Sequence, residues 1–261
     1  GTMNSEQTYD SQLNPQPEPP APQSFFNRLI GVYFSPGETF KEIGLAPRLI
    51  APLLVLALVG AIGSWFFVDR VGVEKFTTQG IEQAVAEGKT TQEQADKQIE
   101  GVRKAAPYIK ASFPLIGFVA SIVLVLIVAG LAKLASMMFG FENEFKPLVA
   151  VTAYAMLAVG LVATILLVVL INLKPAEEID IKNPIGSNVT ALLAAAGVTL
   201  PKFLHHLFTY IDAFYIWRVI LLGIGCAAVS RRMKASTGIT YAAIVAVIFA
   251  LLGAAWGTIF G

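Results

Sequence analysis

Charge is scarce in this sequence. Asp, Glu, Lys and Arg make up 14% of its 261 residues against 55% hydrophobic residues, where soluble domains carry roughly 25% charged residues. So few charges cannot solubilise that much apolar surface, and a chain embedded in a membrane is expected. Lys and Arg number 19, Asp and Glu 18. A balance this even gives no basis for a nucleic-acid partner or a strongly acidic one. The single cysteine, Cys226, excludes an internal disulfide, and its place in an apolar run reads as a buried, inert thiol. The only histidines, His205 and His206, are neighbours and would point apart on a helix, a poor grip on one metal ion. No Gly-x-Ser-x-Gly elbow, Walker lysine loop or dinucleotide-binding glycine fingerprint occurs, so acyl transfer, nucleotide hydrolysis and hydride transfer have no local support. No catalytic residue is assigned, no enzyme activity is expected, and no metal or cofactor is called for. Residues 1–23 also lack a charged segment followed by an apolar one, so they do not read as a signal peptide. They read as a disordered polar tail in which Gly1 and Thr2 are the remnant of a cleaved tag.

What the sequence has is long apolar runs. Leu49 to Val68 contains no charge, and 20 helical residues at 1.5 Å each cover the roughly 30 Å hydrocarbon core. Trp65, Phe66 and Phe67 followed by Asp69 and Arg70 mark its exit. The same reasoning places spans at about Ser112–Leu134, Pro147–Leu173, Tyr210–Ser230 and Gly238–Phe260. The expected fold is therefore all-α: a polytopic bundle of five spans over 48–261. Before it, 24–47 reads as a pair of interfacial amphipathic helices, with Phe25, Phe26 and Tyr33 at headgroup depth and Lys41 and Arg48 facing phosphates. Ser35, Pro36 and Glu38 supply a capping signal between the two.

Two stretches between spans are not lipid-like. Residues 71–110 are rich in Glu, Gln, Lys and Ala and read as a helical hairpin standing off the membrane. Thr90 and Glu93 form a capping box there, and Gly88 lies near the turn. Such a hairpin either packs on itself or offers a surface to a membrane-protein partner. Residues 189–200 are apolar but too short to span, and read as an interfacial or re-entrant helix stopped by Pro201.

Ionisable groups inside a span are costly and mark function by default. Asp212 and Arg218 are six apart, so they do not share a face of one regular helix. They are candidate ligand or ion residues, set against an interfacial aspartate and a snorkelling arginine. His205 joins them because His205, Thr209 and Asp212 recur at i, i+4 and i+7. Glu177 and Glu178, with Lys182, only faintly echo the glutamate pair of intramembrane proteases. Small-residue pairs, Gly60 with Ser64 and Gly253 with Gly257, fit close helix packing within one chain or a homo-oligomer seam.

The strings FNRLIGVYFSPGETFKEI, FGFENEFKPLVAVTAYAML and IDAFYIWRVILLGIGCAAVS, in that order and spacing, resemble the Yip1 family of multi-pass membrane proteins in its bacterial branch. That resemblance implies a cytoplasmic N-terminus and five spans. Eukaryotic relatives bind prenylated Rab-type GTPases and shape membranes. This chain lacks their Asp-Leu-Tyr-Gly-Pro element and has no proline near Tyr154, so GTPase binding does not carry over. A cytoplasmic N-terminus puts Arg28, Lys41, Arg48, Lys133, Lys146, Arg231, Arg232 and Lys234 inside. The expected function is a non-enzymatic protein of a bacterial inner membrane that organises the bilayer or assists a partner complex. Its alternative is a transporter or lipid- or ion-handling protein with a path near Arg218 and Asp212.

Overall fold

The computed structural model describes residues 23–260 except 87, 176, 177 and 182. Residues 1–22 of the tail expected over 1–23, together with Glu177 and Lys182, thus lie outside the described residues. Among the described residues ten helices run in the order α1 (Phe25–Phe34), α2 (Pro36–Leu45), α3 (Ile50–Val71), α4 (Val73–Ala86), α5 (Gln92–Met138), α6 (Phe145–Leu173), α7 (Val189–Ala195), α8 (Lys202–Thr209), α9 (Ala213–Ala228) and α10 (Ala235–Phe260). Among the described residues there is no strand, only two isolated bridges, Asn143 with Ser230 and Asn188 with Asp212.

Among the described residues four helices, α3, α5, α6 and α10, are long and apolar enough to cross a membrane. The fifth expected span is not one continuous helix. Its apolar core is α9, 16 residues long, or about 24 Å at helical rise, short of the hydrocarbon core.

The interhelical register follows from small residues and hydrogen bonds. α3 crosses α5 antiparallel where Gly60 meets Gly117: a Cβ on Gly60 would come within 2.1 Å of Ser121 Oγ and 2.7 Å of the Gly117 carbonyl. Ser64 Oγ donates to the Phe113 carbonyl at 3.1 Å beside this crossing. α3 runs parallel to α6, with Gly63 against Thr164 and Arg70 donating to the carbonyls of Ile171 and Lys174. α9 and α10 are antiparallel around a second close approach, Gly223 on Gly238 and Ile239. The small-residue pairs read from sequence are thus occupied within the chain: Gly253 and Gly257 take the rings of Tyr210 and His206.

The core sits on the N-terminal half of α6, where every residue from Leu148 to Val159 is buried. It is covered by α1 and α2, not by lipid. Leu29, Val32, Phe40 and Ile43 belong to the same buried cluster, and Tyr33 donates to the Ala158 carbonyl at 2.7 Å. The two helices over 24–47 are thus packed on the bundle along one apolar face, while Phe26, Ile30, Phe34 and Leu45 form a second, exposed apolar face.

The expected hairpin over 71–110 also differs. α4 and the first part of α5 do pack against each other, tied by Arg103 to Glu74 at 2.6 Å, a contact that raises the arginine pKa above its ordinary value. The second arm, however, is continuous with the span. α5 runs 47 residues through Pro107 and Pro114 without a break. Its N-terminus is capped one residue later than expected, by Thr91 with Gln94 in a reciprocal capping box.

Candidate functional site

The described charges gather at the two ends of the bundle. At one end stand Arg48, Lys133, Lys146 and Arg231; at the other Asp69, Arg70, Lys110, Lys174 and Lys202. Asp69 pairs with Lys110 at 2.6 Å, and Lys110 lies over the Trp65 ring 5.4 Å from its centroid. Trp65 thus sits beside the charged groups at this end.

Between these ends α8 and α9 form one interrupted element. Four contacts along α10 occur in antiparallel order: Gly223 with Gly238, Tyr215 Oη with the Ala246 carbonyl at 3.4 Å, Tyr210 with Gly253, and His206 with Gly257. α8 and α9 thus lie end to end beside α10, with the break at 210–212. Asp212 makes that break. Its φ of −123° and ψ of 138° are extended, and its carboxylate caps α9 by accepting from the Tyr215 amide at 2.9 Å. Its other oxygen accepts from Ser187 Oγ. The backbone of 187–189 bonds to 211–213 on the same side. A loop entering from the Lys174 end therefore meets the break, and α7 returns from it. Non-helical backbone at membrane depth is tolerated where protein or a polar cavity satisfies it.

The interruption corrects the sequence geometry. His205, Thr209 and Asp212 were aligned on one helix, but α8 ends at Thr209, so Asp212 leaves that face. His205 and His206 have ring centroids 5.7 Å apart. Among the described residues no cluster of three His, Cys, Asp or Glu side chains could hold a metal. His205 instead lines a cavity of about 390 Å³ with Asn183, Asn188, Thr190, Thr209 and Asp180, beside the loop that meets the break.

Arg218 lies on the far side of the break. It lines a groove of about 290 Å³ between α5, α6, α9 and α10, whose other walls include Leu124, Val128, Met156, Leu222, Val245 and Phe249. Its Nε is fully enclosed and has no hydrogen-bond partner among the described residues. A guanidinium at the centre of a span costs roughly 2.5–3.5 kcal/mol on insertion scales. Tyr241 also contributes to the wall, and its ring meets Phe139 edge-on at 5.0 Å. Cys226 also lines it, free and 3% exposed.

The interface residues read from sequence divide in two. Phe26 is 70% exposed, and Lys41 and Arg48 are exposed, Lys41 pairing with Glu38 at 2.9 Å. Phe25 and Tyr33 turn inward, onto Tyr154 and Trp217 respectively. Arg28, counted in the sequence among the cytoplasmic-side cations, stands between them and is not a surface charge. Arg28 is 1% exposed and donates to Glu42 Oε1 through Nη2 at 3.0 Å and to the Ala46 carbonyl through Nη1 at 2.9 Å. Arginine at the i+3 position of an aromatic-rich turn gives no sequence signal of burial, because its partner lies on the next helix.

A second polar node closes the end opposite the loop. Asn143 is buried; its amide donates to Ser136 Oγ at 2.9 Å, its carbonyl oxygen accepts from Ser230 Oγ, and its backbone carbonyl accepts from Lys133. It joins the α5–α6 turn to the α9–α10 turn.

This architecture is that of an α-helical, multi-pass membrane protein. The chain belongs to the Yip1 domain family, whose model matches residues 30–257. The match takes in the bundle, the arm and the interrupted element. No curated protein and no solved structure matches the chain.

Proposed function

We propose that the chain is a non-enzymatic protein of a bacterial inner membrane, N-terminus in the cytoplasm, that organises the bilayer or assists a partner membrane complex. The observation that supports this best is the arm. The portion of α5 from Gln92 to Lys110 projects about 28 Å beyond the charge ring at helical rise, and it is one rigid helix with a span. Force or binding at its tip is therefore transmitted directly into the bundle. Exposed ion pairs such as Lys97 with Glu93 at 2.6 Å keep its outer face polar and mixed in sign. A membrane-protein partner would meet 71–110, lipids would meet Phe26, Lys41 and Arg48, and a homo-oligomer would have to use faces other than the occupied glycines.

Photo-crosslinking in cells from Gln98 tests this reading. A discrete adduct at Gln98, absent from a lipid-facing site such as Leu126, supports it. Absence of an adduct along the whole arm, with normal behaviour of cells whose copy lacks 76–108, contradicts it.

A second reading has its own observation. An interrupted helix met by a re-entrant loop is the arrangement in which transporters expose backbone and charged groups at the midplane. It supports handling of a lipid or ion near Asp212 and Arg218, with five crossings in which α8 and α9 together make the fourth.

A further inference from the structure

We infer that the groove beneath Arg218 holds one acyl chain of an anionic phospholipid, with the lipid phosphate drawn inward to the guanidinium. This names the ligand of the second reading above and rests on it. The groove is bounded by apolar walls from Leu124, Val128, Val245 and Phe249, which match a hydrocarbon chain and offer nothing to a hydrated ion. Its volume of about 290 Å³ lies just below the roughly 300–1,000 Å³ range of sites that take drug-sized ligands. That suits one chain rather than two.

Charge selects the head. Among the lining residues Arg218 is the single ionisable cation, and none is a carboxylate. The nearest acid in sequence, Asp212, already accepts from Ser187 Oγ and the Tyr215 amide. Arg218 Nε is enclosed without a partner, and a planar guanidinium binds phosphate oxygens through paired N–H donors. An anionic head completes that set, whereas a zwitterionic lipid brings its own cation to the same place.

The test uses the full chain in nanodiscs containing phosphatidylglycerol, phosphatidylcholine, or phosphatidylcholine with oleate, followed by native mass spectrometry. The wild type is expected to retain one phosphatidylglycerol. Arg218→Gln should lower retention at least tenfold, and Arg218→Lys should restore part of it. Ala242→Phe keeps the arginine but fills the groove, and should also abolish retention; it decides the matter if Arg218→Gln does not fold. Equal retention by wild type and Arg218→Gln overturns the inference, as does equal retention of phosphatidylcholine or preference for oleate. Transbilayer movement of a labelled lipid is measured separately. A lipid that binds without moving leaves this site standing and removes the handling reading.

Discussion

Arg28 shows how much a single side chain decides in this bundle. It is charged, 1% exposed, and held by one carboxylate and one carbonyl. Removing one partner of such a buried pair typically costs about 3–5 kcal/mol, while replacing both with apolar groups is often neutral. Arg28→Met should therefore lower the thermal midpoint in detergent sharply, and Arg28→Met with Glu42→Leu should recover most of the loss. If the double variant is no better than the single, the ion pair is not what makes Arg28 necessary. Arg232 carries a different cost. Its φ of 72° is left-handed, which disfavours a residue with a Cβ by roughly 1–2 kcal/mol. Arg232→Gly is expected to raise stability by about 1 kcal/mol, read from the same unfolding curves. Neither residue was legible as special in the sequence. Burial of Arg28 depends on Glu42 14 residues away, and a left-handed arginine leaves no compositional trace.

At the level of elements, long apolar runs were legible and interruptions were not. α3, α6 and α10 coincide with their expected spans to within a few residues, because an uncharged run of 20 or more residues has few alternatives in water or lipid. The hairpin was half legible. The two arms do pack together, Arg103 pairing with Glu74, but a boundary near Lys110 was expected and α5 runs on through it. Prolines at 107 and 114 remain inside α5, each removing one amide from the helical ladder without ending the helix. The break at 210–212 was missed for the opposite reason. Asp212 reads as an interfacial charge in sequence, whereas its structural role is to cap α9 and anchor the loop at Ser187. Asp212→Ala should cost about 1 kcal/mol through the lost cap, plus the loop contact, and should increase hydrogen exchange at 187–189 before it affects α6. Uniform exchange changes across the bundle would instead mean that α8, α9 and the loop do not form a separable unit. The close approach of α3 to α5 makes a sharper demand. Gly60→Leu leaves no room against Gly117 and Ser121, and it should destabilise the chain more than the same change at Gly130, where a Cβ meets nothing within 4 Å.

For the whole molecule, the class was legible and the placement of polar groups was not. Composition alone indicates a membrane chain, and the ordered strings at 26–43, 139–157 and 211–230 indicate the family that the match over 30–257 shows. Register between helices depends on contacts that no single stretch encodes: Gly225 on Val151, Tyr33 against both Ala158 and Trp217, and Tyr210 on Gly253. Those contacts put α8 and α9 in one column and bring Asp212 and Arg218 between the two charge rings. Whether that column crosses the bilayer is the question on which both functional readings turn. It is answered by single-cysteine labelling with an impermeant maleimide in intact and opened vesicles, in a Cys226→Ala background. Lys202→Cys and Gln98→Cys should react from one side, and Ser24→Cys and Lys234→Cys from the other. Reaction of Lys202→Cys and Lys234→Cys from the same side would contradict a broken crossing and leave four spans with α9 re-entrant.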